Sequence, residues 1–103
     1  MKTLKIALAL ILVASSVYAT EHIVVQKGKA FNPKTLEAKV GDTIKFKNSD
    51  AFAHNAYSDD GANEFDIGMQ APGEDYSITL KAPGTVAIGC AIHPSMQLKV
   101  TVK

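Results

Sequence analysis

From His22 onward, apolar and polar residues alternate in short runs. Leu36, Ala38 and Val40 take turns with Glu37 and Lys39, Ile44 and Phe46 with Lys45 and Lys47, and Tyr76, Ile78 and Leu80 with Ser77 and Thr79. The same period of two recurs in Val86, Ile88 and Cys90 and in Leu98, Val100 and Val102, while residues 22–26 are β-branched and apolar. Successive side chains of a strand point to opposite faces, so each run predicts a strand with one face buried. Asn32-Pro33, Gly41-Asp42, Asp59-Asp60-Gly61, Pro72-Gly73 and Pro83-Gly84 fall between the runs as turns. No stretch keeps a helical period for three turns, and many short strands with this punctuation predict an all-β sandwich. Residues 48–72 break the alternation with Asn, Asp and Gly. They predict long loops holding one irregular strand or a short helical turn.

The first nineteen residues follow a different pattern. Lys2 and Lys5 precede an unbroken apolar run from Ile6 to Val13, and Val17-Tyr18-Ala19 offers a site for a signal peptidase. That layout predicts a secretory signal peptide over 1–19 and one domain over 20–103. An uncleaved anchor is the rival, but the apolar run is short for a membrane span, so no stable membrane insertion is expected after cleavage.

The whole chain has 103 residues and a formal charge of +1. Loss of Lys2 and Lys5 leaves nine lysines against ten carboxylates, and there is no arginine. A nucleic-acid binder wants a basic excess and arginine forks, so that class is set aside. The carboxylates crowd into 50–75 and the lysines into 27–47. The plain reading is solvated loops; the sharper one is a docking face for a basic partner. So small a domain has a modest core and gains from a staple. Cys90 is the sole cysteine, which rules out an internal disulfide and leaves a lone thiol in an oxidising compartment unless a metal takes it.

Cys90-Ala91-Ile92-His93-Pro94-Ser95-Met96 joins the last two expected strands. A thiolate, an imidazole and a thioether thus sit in one tight loop, stiffened by the fixed φ of Pro94. Thiolate with imidazole suits copper or zinc, and a thioether leans toward copper; two His, one Cys and a weak axial Met form the blue-copper electron-transfer set. The second histidine must come from elsewhere. Of the other two, His22 lies in the first strand, whereas His54 follows the strand of Phe46, so the expected ligands are His54, Cys90, His93 and Met96. After cleavage Thr20-Glu21-His22 would place a histidine third behind a free amine, a possible Cu(II) chelate, but a plain strand residue is the expectation for His22. No triad, supported carboxylate pair or phosphate-cradling glycine loop is present.

This spacing resembles the cupredoxin family. Two residues between Cys90 and His93, and two between His93 and Met96, look like amicyanin, and His54-Asn55 is similar to the plastocyanin pattern in which the Asn helps pin the thiolate. Ala53 stands where relatives often have Pro, and Gly89 where plastocyanin has an aromatic residue. The resemblance implies a Greek-key β-sandwich with one copper ion at one end. It also implies a monomeric periplasmic carrier of single electrons with transient redox partners. These partners would meet an apolar patch near Phe52, Ala53, Ala71, Pro72, Ala91, Ile92 and Pro94. Copper delivery or sequestration is the alternative. A copper enzyme would need a further catalytic centre, for which three histidines are too few.

Overall fold

The computed structural model describes residues 18–103, so most of the expected signal peptide lies outside the described residues. Nine strands follow in chain order: β1 Glu21–Gln26, β2 Phe31–Asn32, β3 Thr35–Ala38, β4 Thr43–Asn48, β5 Tyr57–Ser58, β6 Phe65–Asp66, β7 Asp75–Thr79, β8 Gly84–Gly89 and β9 Gln97–Val102. They form two sheets, ordered β2–β1–β4–β7 and β3–β9–β8–β5–β6. β1 pairs parallel with β4 and β3 parallel with β9, and the remaining ladders are antiparallel. The chain passes repeatedly from one sheet to the other, as a Greek-key β-sandwich of the cupredoxin kind requires.

The alternation explains the layers. Val24, Ile44 and Phe46 point inward from one sheet and Val86, Ile88, Leu98, Val100 and Val102 from the other, and all are buried. Phe46 sits at the centre, with the rings of Phe31 and Phe65 each 6.0 Å away. Fully burying an aliphatic or aromatic side chain of this kind contributes about 1.5–3 kcal/mol.

Two expected inward positions turn out exposed. β3 stops at Ala38, because the chain turns through Lys39–Asp42 with Gly41 at φ 92°. Asp42 N–H closes that turn on the Lys39 carbonyl at 3.0 Å, and Val40 is left outside. Tyr76 is also exposed: β7 is an edge strand, and the two-residue β6 facing it is too short to cover that ring. β2 was not expected from the pattern; its two residues pair with β1 across the tight turn 27–30. Residues 48–72 do hold a two-residue strand pair and a single 3-10 turn at Gly61–Asn63.

At the start of β1, Asp42 gathers three donors. One carboxylate oxygen accepts the Thr20 N–H at 2.9 Å, and the other lies 2.8 Å from His22 Nε2 and 2.9 Å from the Lys39 N–H. The His22 bond first, then the two N–H groups, hold the Asp42 carboxyl at about 2, below its ordinary 3.8. A depressed carboxyl stabilises the fold above its unfolded value and loses that contribution as pH falls through the folded one. Stability should therefore drop between about pH 4 and pH 2, and in Asp42→Asn this part of the acid dependence should flatten. Urea denaturation across that range checks it.

Candidate metal centre

β8 and β9 pair in register from Gly84↔Val102 to Gly89↔Gln97, so Cys90 and Met96 stand at the two posts of the loop that follows. The Met96 N–H donates to the His93 carbonyl at 2.9 Å and closes the loop into a turn. Cys90 and Met96 are buried, while His93 is half-buried.

His54 arrives from the other sheet. β4 ends at buried Asn48, whose amide donates to the carbonyls of Phe52 (2.9 Å) and Gln70 (3.1 Å) and accepts the Asp50 N–H (3.0 Å). His54 and Gln70 then exchange both backbone hydrogen bonds, at 3.0 and 2.8 Å. These bonds turn the chain inward, and His54 ends 0% exposed. Its Nε2 lies 2.6 Å from Asp50 Oδ2.

Asn55 joins the two loops. Its N–H donates to the Cys90 sulfur at 3.3 Å, and its Oδ1 accepts the Ala91 N–H at 3.1 Å. Its Nδ2 donates to Asp66 Oδ1 (2.8 Å) and the Gly68 carbonyl (3.0 Å). Gly89 has a local reason as well: a Cβ there would stand 3.3 Å from the ring of Tyr57, which lies across it.

Donor atoms of His54, Cys90 and His93 all lie within 4.8 Å of one another, the Cys90 sulfur being 4.0 Å from His93 Nδ1. That is too long for a hydrogen bond. It suits two donors on one ion, each bound at about 2.0–2.3 Å and set at an open angle. His54 Nδ1 is buried with no partner. An orphaned buried nitrogen is costly unless something occupies it, and a metal ion on these three donors fits. The fourth expected residue, Met96, is buried at the end of the same loop. His22, tied to Asp42 at the far end of β1, takes no part. The pattern did not reveal Asp50, Lys29 or the contacts of Phe52: an acid four residues before a histidine in a loop carries no periodic signal. The Phe52 ring lies 5.2 Å from that of His54 and 5.4 Å from that of His93.

Comparison with known proteins points to a copper-binding family. The family described as copper binding proteins, plastocyanin/azurin family, matches residues 17–103. Chloroplastic plastocyanin of Fritillaria agrestis is 38% identical over 86 residues, covering 71% of this chain and 52% of that protein. Plastocyanin of Vicia faba is 40% identical over 77 residues, covering 64% of this chain and 78% of its own length. The chain thus spans about half the length of the first relative. A reduced Cu(I) amicyanin variant superposes with a TM-score of 0.75 at 28% identity, over 81% of this chain and 82% of that one. A copper-containing nitrite reductase from Thermus scotoductus SA-01 gives 0.74 at 34% identity, over 81% of this chain but only 22% of the reductase.

Asn55→Ala removes three side-chain hydrogen bonds between the loops. At a net 0.5–1.5 kcal/mol for each, the metal-free protein should lose about 2–4 kcal/mol, measured by urea denaturation against Asp66→Ala, which removes one of the three together with the Gly68 N–H bond.

Proposed function

The chain belongs to the plastocyanin/azurin family of copper-binding proteins, with one copper ion as its cofactor, and we propose that His54, Cys90, His93 and Met96 hold that ion in a centre that passes single electrons. The observation that carries this reading is the burial of the cluster: His54 is 0% and Cys90 2% exposed, and the half-buried His93 offers the nearest route to the surface. Copper held by such a His₂CysMet set would supply single-electron transfer between Cu(I) and Cu(II). The surrounding residues keep the donors in place. Asn55 holds the sulfur through its N–H, the Met96–His93 turn fixes the loop, and the His54–Gln70 bridge fixes the opposite donor. A donor set that cannot rearrange keeps the barrier to electron exchange small.

Around His93 the surface is apolar. Phe52, Ala71, Pro72, Ala91, Ile92 and Pro94 are all exposed. They suit the small, short-lived contact of a redox encounter. Delivery or sequestration of copper asks for open ligands, and the burial of His54 and Cys90 favours the carrier. An enzymatic role would need donors for a second copper; with His54 and His93 in the cluster and His22 bonded to Asp42, none of the three histidines is left over. We place the working domain at 20–103, released by cleavage after Ala19 into a periplasm as a monomer. No helix among the described residues is long and apolar enough to cross a membrane.

Cu(II) added to the metal-free protein should bind in a one-to-one ratio and give an intense visible thiolate-to-copper band. Cys90→Ser should abolish the band, and His54→Ala should weaken or shift it. Copper uptake with no such band, or slow electron self-exchange with ready loss to a chelator, would instead identify a delivery protein.

A further inference from the structure

Asp50 lies outside the donor set, yet it is built into the site. Its side chain is 10% exposed. Oδ2 lies 2.6 Å from His54 Nε2 and accepts the Lys29 N–H at 3.2 Å, and Oδ1 accepts the Gly28 N–H at 2.8 Å. Every group those two oxygens meet is a backbone N–H or the imidazole, so the carboxylate is placed as the acceptor in all three contacts. An ionised carboxylate only accepts hydrogen bonds. The His54 proton therefore belongs on Nε2, which leaves the lone pair on Nδ1, the buried atom without a partner.

The other side of Asp50 is the turn between β1 and β2. Lys27 and Ala30 exchange hydrogen bonds across it at 3.0 and 3.2 Å, with Gly28 at φ 63° and Lys29 at φ 54°. A lysine in the left-handed region is strained, and such strain persists only where the surroundings hold it. Two contacts hold Lys29: its N–H on Asp50, and its ammonium 5.6 Å from the centre of the Phe52 ring. That ring in turn packs against both imidazoles.

We propose that Asp50 is a positioning residue of the copper centre, fixing His54 as the Nε2–H tautomer, strengthening Nδ1 as a donor and fastening the Gly28-Lys29 turn over the site. The proposal rests on His54 being a ligand. A carboxylate behind an imidazole raises its basicity, and a more basic nitrogen favours Cu(II) over Cu(I), so Asp50 holds the reduction potential down.

Two variants test this. Asp50→Asn keeps the shape and an acceptor but removes the charge. With copper bound it should retain the visible band and shift the preference toward Cu(I) by tenfold or more, a rise of at least about 59 mV for one electron. Asp50→Ala removes the acceptor as well. In the metal-free protein, ¹⁵N NMR of the His54 ring should then change from a single Nε2–H form to a mixture of tautomers. An unchanged potential in Asp50→Asn, or an unchanged tautomer in Asp50→Ala, overturns the proposal; a purely structural role would lower the unfolding midpoint and move neither. His54→Ala with an unaltered visible band would instead remove the ligand assignment on which the proposal stands.

Discussion

The hydrogen bond from the Asn55 N–H to the Cys90 sulfur, 3.3 Å long, spans 35 residues of sequence. The site depends on it. Cys90 and His93 share a tight loop between paired strands and would stand near each other in almost any antiparallel hairpin. His54 belongs to the loops that leave the other sheet. Only a tie between the two loops makes a cluster of three donors from a local pair and a distant third. Asn55 makes that tie twice, through its N–H on the sulfur and its Oδ1 on the Ala91 N–H, and anchors itself to Asp66 and Gly68. Its N–H and both ends of its side-chain amide are used, as burial demands.

The parallel pair β1–β4 carries an aspartate–histidine contact at each end. At one end Asp42 binds His22, Lys39 and Thr20, and lies on the closed base of the sandwich. At the other, Asp50 binds His54, Gly28 and Lys29. The two arrangements use the same chemistry, one carboxylate saturated by an imidazole and two backbone N–H groups. They differ in what lies beyond the imidazole. Past His54 is an unpartnered buried nitrogen facing a sulfur and a second imidazole. A pair that only stabilises a turn and a pair that presents a donor are thus separated by their surroundings.

Burial and exposure divide the site into working parts. The donors lie behind Phe52 and Ile92, two exposed apolar side chains, with His93 between interior and surface. Water is kept from the sulfur, since Cys90 is buried. Acidic residues of the middle loops, among them Asp59, Asp60 and Glu64, are exposed as well, but their 3-10 turn is tied through Asn63 to Lys81 and Ala82, at the end of β8 away from Cys90.

Much of this was legible in the sequence, because strand alternation and metal-ligand chemistry both act over short distances. The inward runs of β4, β8 and β9 followed from period two alone, and the expectation that Cys90, His93 and Met96 are ligands came from donor type within seven residues. His54 was reached by elimination among three histidines. Alternation failed at Val40 and Tyr76, where the partner surface ends: a strand's pattern records which side faces in, but not how far the opposing layer extends. Asp50 and Lys29 left no trace either, since their roles come from a turn and a loop that are remote in sequence and meet only when β1 and β4 align. The sequence by itself determined the strands and the class of metal, and it offered the candidate donors, because strand alternation and donor type are written in neighbouring residues. Tertiary structure alone decided which imidazole nitrogen faces the sulfur, what holds it there and how deeply it lies, because those depend on atoms brought together across the sandwich.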